Sequence, residues 1–282
     1  MYADTIRAMS DQAELKLEHQ NRSLLGHLVR SMAAGMYVGA AIGLIMTVGG
    51  LLARDSPGLV RMLMGVCFGG ALTIVIFAGS ELFTGSNLVL TLGVLNRRVT
   101  WSGLVSNWAW TWVGNLLGSV LLAYLIVQSG VMSTDPVKGF VLKVTETKMN
   151  LPPGHLFVRA ILANWLVCLG VWMAARIKSE PAKILMIWWC MFTFITCGYE
   201  HSIANMTTLM MGYLLPHDPA AAISLGGYTY NILVATAGNV VGGAVFVGGL
   251  YWVGSARPRA EAPAAAAAVE TLAGSGAGVA PA

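Results

Sequence analysis

The chain has 282 residues, of which 56% are hydrophobic and only 11% are charged, and its formal net charge is +4. Soluble domains carry about a quarter charged residues, so this composition, with a mean hydropathy of +0.68, predicts one polytopic membrane domain with short tails. The basic residues stand at the ends of apolar segments, which fits membrane topology better than nucleic-acid binding. No pattern is typical of a metal site or of a nucleophile with its base, so we expect neither a metal, a cofactor nor an enzyme.

The chain divides by composition into three parts. Residues 1–30 are polar and lack the apolar stretch of a signal peptide, which predicts a cytoplasmic N-terminal segment. Within them, 4–20 is amphipathic and charged, which indicates either a short interfacial helix or a frayed tail. A transmembrane domain is predicted at 31–255. Residues 256–282 are rich in Ala, Gly and Pro, so we expect a disordered cytoplasmic tail that cannot bury a core.

Six spans are predicted in the transmembrane domain, at 32–52, 62–95, 104–127, 156–175, 182–215 and 228–254. Spans 2 and 5 are too long for one simple crossing, because 32 to 35 helical residues extend about 50 Å against a hydrocarbon core of about 30 Å. Basic residues in the connections on one side place both termini in the cytoplasm. The connection at 128–154 is an exception, since its three lysines lie on the predicted outer side.

Each long span carries one acid in its apolar interior. Glu81 is the only charged residue in 62–96, and Glu200 with His201 are the only ionisable groups in 184–215 apart from tyrosine and cysteine. Charge at membrane depth is costly and usually faces a protein interior or a watery path. Each acid ends a Gly-x-Glu triplet, which predicts a broken helix. We expect the two carboxylates to accept hydrogen bonds from the N–H groups that the breaks set free, with direct solute contact as the alternative.

Two motifs recur in the same order. The Gly-x-Glu triplets begin at residues 79 and 198, and the sequence GNxxG occurs at 114–118 and again at 238–242. The spacing is 119 and 124 positions respectively, which suggests a duplicated unit of three spans. Because an odd number of spans reverses the second copy, we predict an all-α membrane protein with an inverted 3+3 repeat, in which the two broken helices meet near the midplane.

His201 is the only histidine in the predicted membrane interior. The half-helix after each break points its positive end inward, which favours an anion. Imidazole titrates near neutral pH, so His201 could donate a proton to a weak-acid anion or stabilise the anion as a cation. A satisfied core histidine is the alternative. Thr84 follows Glu81 by three residues; it either hydrogen-bonds His201 or the solute, or caps the next half-helix.

Three segments resemble the formate–nitrite transporter family. They are AGSELFTG at 78–85, ANWLVCL at 163–169 and GYEHSIANM at 198–206. The run from 182 to 207 is more similar to the nitrite branch than to the formate or hydrosulfide branches. The resemblance covers about 32–254 and implies an aquaporin-like channel protomer. It further implies a homopentamer with one pore per subunit in a bacterial inner membrane.

The resemblance also implies roles for particular residues. Thr84 would lie beside His201 at a central chamber, Lys148 in the outer vestibule, and Asn164 along the pathway. Phe68 and Phe194 would form one apolar constriction. The second constriction would consist of Leu72, Leu82, Phe83 and Val167. The polar residues at the helix breaks would be Glu81, Glu200, Asn205, Asn115 and Asn239.

These features predict a channel or transporter for small monovalent anions, nitrite first, in which His201 mediates proton-linked or electrostatic passage. Formate or hydrosulfide passage is the alternative within the family. A neutral-solute channel is less favoured, because the Asn-Pro-Ala repeats of a water channel and the paired pore histidines of an ammonia channel are absent. The expected partners are the anion, protons, the lipid bilayer and further copies of the chain.

Overall fold

A computed structural model describes residues 2–255, so the tail predicted at 256–282 lies outside the described residues. The described part of the chain forms helices joined by short turns. Their bounds are α1 Ala3–Arg22, α2 Leu24–Leu52, α3 Val60–Phe68, α4 Gly70–Phe77, α5 Phe83–Leu95, α6 Trp101–Gln128, α7 Val137–Met149, α8 Pro153–Arg176, α9 Glu180–Cys197, α10 Ser202–Leu214, α11 Leu225–Val240, a π-helix Val241–Gly249 and α12 Leu250–Gly254.

Five helical segments of the described chain have the length and apolar composition of a membrane span, namely Leu24–Leu52, Val60–Phe77, Trp101–Gln128, Pro153–Arg176 and Leu225–Gly254. A sixth is the pair α9 and α10, which meet at an angle of 51°. The short helix α5 continues beyond Val60–Phe77 as an apolar half-helix. The all-helical architecture with interruptions in spans 2 and 5 is confirmed.

The breaks themselves follow from glycine. Gly79 and Gly198 adopt φ angles of 69° and 72°, in the left-handed region that other L-residues enter only at a cost. Each helix therefore stops at its glycine, and the chain runs extended before the next half-helix starts. The sequence predicts both positions because the glycine and the acid occur together.

Two segments differ from their expected course. The first span begins at Leu24 rather than near residue 32, because Ser23 caps α2 by accepting a hydrogen bond from Gly26 N at 3.0 Å. The connection at 128–154 contains the helix α7. Of the two alternatives for 4–20, the structure forms a helix, and α1 packs against α5 with Met9 and Ala13 buried.

The helices form two halves that pack in matching ways. In the first half α2 lies against α6, and in the second α8 lies against α11. The half-helices cross between them, since α10 also packs on α6 and α5 on the π-helix. Each half opens with an amphipathic helix, α1 or α7. This arrangement is the inverted repeat, with one short helix preceding each set of three spans.

Candidate functional site

The main-chain groups freed at the two breaks are bound in the same way. Glu81 N donates to the carbonyl of Arg30 and Glu200 N to the carbonyl of Arg159, both at 3.2 Å. These carbonyls lie on α2 and α8, the first spans of the two halves. Each break is therefore attached to the preceding span of its own half.

Two asparagines from the repeated GNxxG motifs complete the binding of the breaks. Asn115 Oδ1 accepts from Phe83 N at 2.9 Å, while its Nδ2 donates to the carbonyl of Glu81 at 2.9 Å. Asn239 does the same in the second half, accepting from Ser202 N at 2.8 Å and donating to the carbonyl of Glu200 at 3.1 Å. Both asparagines are fully buried. Their amides satisfy backbone groups that lipid could not.

The carboxylates of the breaks have a different role from the expected one. Instead of accepting the freed N–H groups, Glu81 pairs with Lys16 of α1, and Glu200 pairs with Lys148 of α7 at 2.7 Å. Asn205 also donates to Glu200, at 2.7 Å. A lysine from each half's amphipathic helix thus neutralises the acid at that half's break. Lys148, predicted for the outer vestibule, lines the α7-side cavity beside the second break. There its ammonium is paired with the Glu200 carboxylate.

The His201 ring contacts Thr84 across the boundary between the halves. Its Nε2 lies 2.9 Å from Thr84 Oγ1, and its Nδ1 accepts a hydrogen bond from Ala204 N at 3.1 Å. Because a backbone N–H can only donate, Nδ1 carries a lone pair and Nε2 carries the hydrogen. His201 therefore caps α10 with one nitrogen and donates to Thr84 with the other. Within the described residues the Thr84 hydroxyl hydrogen has no acceptor, but Thr84 is fully buried and lines neither cavity, so a solute reaches it only after neighbouring side chains move.

Two cavities approach this pair from opposite ends. The α7-side cavity has a volume of about 410 Å³ and reaches His201, Glu200 and Phe194. The α1-side cavity has a volume of about 500 Å³ and reaches Glu81 and Leu82. His201 is 4% exposed, and that small exposure faces the α7-side cavity. The ring therefore faces this cavity rather than the outer surface of the protein.

The six side chains predicted to form the constrictions, together called the apolar barrier, are all buried. Phe68 and Phe194 meet edge to face, with ring centroids 5.3 Å apart, and the Phe194 ring also lies 5.9 Å from the His201 ring. Leu72 and Leu82 line the α1-side cavity. Val167 and Phe83 are buried and line neither cavity. The Phe83 ring packs edge to face on Trp108.

Asn164 is fully buried on α8 and lines neither cavity. Its Nδ2 donates to the carbonyl of Asn239 at 2.6 Å and to Asn87 Oδ1 at 3.0 Å, and lies 3.3 Å from the carbonyl of Thr84. Cys168, one turn later, also donates to the Thr84 carbonyl, at 3.2 Å. These contacts hold the first turn of α5, and with it the Thr84 hydroxyl, against the second half.

The sequence reasoning missed several polar residues of the site. Lys16 is the counterpart of Lys148, and Asn231 donates to the carbonyl of Lys148 at 2.8 Å. Arg30 and Arg159 each line the cavity of their own half. Aligning the two halves on their Gly-x-Glu triplets would have drawn attention to a lysine before each first span, although not to the pairing itself.

Comparisons with known proteins agree with this geometry. The family model "Formate/nitrite transporter" matches residues 3–253. A protein of Salmonella typhimurium named nitrite transporter NirC is 42% identical over 266 residues, which cover 94% of this chain and 96% of that protein. The formate channel FocA of Escherichia coli is 30% identical and aligns with 79% of this chain and 84% of its own length.

Solved structures show the same fold. An "FNT family ion channel" superposes with a TM-score of 0.85 at 41% identity, covering 90% of this chain and 100% of that one. A "pentameric formate channel with formate bound" gives a TM-score of 0.73 at 28% identity, covering 82% and 97%. With its broken spans, its apolar barrier and its histidine–threonine pair in the signature segments, the chain belongs to the formate/nitrite transporter family, a family of multi-pass membrane proteins.

Proposed function

We propose that this protein carries small monovalent anions, nitrite first, between the α1-side and α7-side cavities, past the pair of His201 and Thr84. The observation that carries the proposal is the position of His201, which ends one cavity and donates to Thr84 at 2.9 Å. The choice of nitrite rests on the relatives named nitrite transporters. Formate is the second candidate, because other relatives are named formate channels.

The apolar barrier sets the physical problem for transport. A bare anion between Phe68 and Phe194 loses its water, and burying an isolated charge in apolar surroundings is expensive. Donors that line the barrier reduce this cost. The Nε2–H of His201 is used to donate to the Thr84 oxygen, so the Thr84 hydroxyl hydrogen is the donor that can bind one oxygen of nitrite as the rings separate.

The hydrogen bonds of His201 bear on proton transfer. The ring gives up its Nε2 hydrogen readily only if Nδ1 gains one, and Nδ1 is occupied by the Ala204 N–H. Protonation at Nδ1 therefore requires the cap of α10 to open. Electrostatic passage with His201 as a neutral donor needs no such opening, so we favour it over proton donation by this side chain.

The distribution of basic residues indicates which end of the pathway faces the cytoplasm. We propose that the α1-side cavity opens to the cytoplasm of a bacterial inner membrane and that both chain termini lie there, because the basic connections fall on that side. We further propose a homopentamer with one pore per subunit, by analogy with the pentameric formate channel. The solute crosses chemically unchanged, without enzymatic conversion.

Reconstituted vesicles test these proposals. Uptake of nitrite, formate, hydrosulfide, ammonia and water is measured side by side, with protons counted per anion from internal pH and with the solute recovered for analysis. The proposal expects saturable uptake of nitrite, faster than that of water or ammonia, and abolished in His201→Phe. Rapid water or ammonia flux without anion flux would overturn it. One proton carried with each nitrite by the wild type would instead favour the proton-donation mechanism.

A further inference from the structure

The α1-side cavity holds three cationic side chains, and they differ in their partners. Lys16 is paired with Glu81, and Lys183 is paired with Glu180 at 3.1 Å. Arg30 has no ion pair within residues 2–255. Among the described residues, Glu81 is the only acid that lines this cavity, and it already accepts from Lys16. Arg30 is therefore the one Lys or Arg of this cavity that has no direct acid partner among the described residues.

The guanidinium also has an unused donor. Its Nη2 is inaccessible to solvent and forms no hydrogen bond in the described part of the chain. A buried donor without an acceptor costs about 1–3 kcal/mol, and more when it is charged. Because Nη2 is closed to solvent, an anion in the cavity would satisfy this donor only when the guanidinium turns toward the cavity that Arg30 lines. The structure thus contains an unmet requirement for an acceptor at this position.

The backbone of Arg30 is attached to the first break, and its side chain runs back along α2. Its own carbonyl accepts from Glu81 N at the break, at 3.2 Å, so its backbone is attached to the region that carries the barrier. One turn earlier, Gly26 lies beside the guanidinium, since a β-carbon built there would be in ordinary contact with Arg30 Nη1 at 3.8 Å. The side chain therefore lies along α2 with its guanidinium at the cavity wall.

We propose that Arg30 forms an anion-binding site in the α1-side cavity, which binds one planar, two-oxygen monoanion such as nitrite before it enters the barrier. This inference rests on the proposed function. The guanidinium fork presents parallel N–H groups that match two oxygens in a plane, which a lysine ammonium cannot do. Arg30 would thus bind the anion at the entrance to the barrier, at a site separate from the pair of His201 and Thr84.

The counterpart in the second half does not form the same site. Arg159 lines the α7-side cavity, but that cavity also contains Arg61, Lys143 and Lys148. No nitrogen of Arg159 is among the buried, unbonded atoms found in residues 2–255. Capture at one arginine is therefore expected on the α1 side alone, and the channel should bind nitrite differently from its two ends.

The test measures nitrite flux from each side separately, in vesicles whose protein orientation has been determined by protease accessibility. Arg30→Gln is compared with Arg30→Lys, with Arg159→Gln and with Arg22→Gln, a control that removes a cation from exposed surface on the same side. We expect Arg30→Gln to raise the half-saturating nitrite concentration from the α1 side about tenfold, equivalent to about 1.4 kcal/mol. The maximal rate should stay within about twofold.

The controls separate the site from general electrostatics. Arg30→Lys should recover only part of the affinity, because it keeps the charge but loses the fork. Arg22→Gln should match the wild type. Unchanged half-saturation in Arg30→Gln on the α1 side, or full recovery in Arg30→Lys, would overturn the proposal. Competition by formate but not by chloride, lost in Arg30→Gln, would support it.

The result is separable from the outcome of the transport experiment. If the wild-type protein carries nitrite and Arg30→Gln does not differ from it, the site is refuted and the transport proposal stands. If the wild type carries no anion, nitrite titration of the detergent-solubilised protein, followed by calorimetry, still decides the matter. Binding lost in Arg30→Gln would support the site, and equal binding would refute it. Equal melting temperatures of the variants confirm that each is folded.

Discussion

Glu81 and Glu200 hold equivalent places in the two halves of the protein. Each follows a glycine at a helix break, each donates its main-chain N–H to an arginine carbonyl, and each carboxylate is bound by a lysine of the helix that opens its half. The lysines, Lys16 and Lys148, come from polar segments outside the repeated spans. The repeat therefore includes α1 and α7 as well as the three spans of each half.

Removing one member of a pair should expose its partner's charge. Lys148→Met leaves the Glu200 side chain, 3% exposed, without its cation, and breaking such a pair typically costs about 3–5 kcal/mol. We expect a loss of about 3 kcal/mol in the free energy of unfolding, measured with denaturant in detergent. Lys148→Met with Glu200→Gln should recover at least half of the loss. A single variant as stable as the wild type would show that the pair contributes little.

His201 performs two tasks that substitution can separate. Asparagine can cap α10 by accepting from Ala204 N, but it is too short to reach Thr84. His201→Asn should therefore keep the stability within about 0.5 kcal/mol while nitrite flux falls at least tenfold. His201→Phe should lose the flux and also about 1 kcal/mol of stability. Thermal melts and vesicle flux measure the two effects, and wild-type flux in His201→Asn would contradict the donor role.

The second glycine of each GNxxG motif allows two helices to approach. A β-carbon on Gly118 would overlap the main chain of Met32, and one on Gly242 would overlap that of Ile161. We expect Gly118→Ala and Gly242→Ala each to lower stability by about 1–3 kcal/mol, since extra volume forces the backbones apart. Gly154→Ala is the matched control, because nothing lies within 4 Å of its β-carbon position. It should be neutral in the same thermal melts.

Asn164 distinguishes a pathway role from a positioning role. Its amide binds the carbonyls of Asn239 and Thr84 and the Asn87 side chain. Asn164→Leu should therefore lower stability by about 2–3 kcal/mol, while the ratio of nitrite to formate flux in the folded fraction stays unchanged. A normal melting temperature with an altered flux ratio would instead support direct contact between Asn164 and the solute.

The sequence predicts the scaffold because its signals are local. An acid inside an apolar run and a glycine two residues earlier are visible within three positions, and they give both breaks. The pairing of His201 with Thr84 is harder to predict, since the residues lie 117 positions apart, and the family resemblance supplied it. The fold class and the family follow from such strings directly.

The missed residues lie where the pattern is ambiguous. Lys16 belongs to a charged helix that reads as an ordinary solvated surface, yet it reaches across 65 positions to Glu81. Arg30 lies near the start of the first span, where a basic residue usually marks only the membrane boundary. Helix packing decides which of these cationic side chains points into the protein. The residue spacing within one helix does not predict it.

The central pair is built from one residue of each half, and the partners are not repeated. The position in the first half that corresponds to His201 holds Leu82, and the position in the second half that corresponds to Thr84 holds Ile203. Two identical polypeptides related by a twofold axis would present every such group in pairs, so a lone imidazole or a lone hydroxyl could not stand at their axis. Because the two halves belong to one chain, each can carry a different residue at equivalent positions. A framework with approximate twofold symmetry can therefore hold a single histidine–threonine pair.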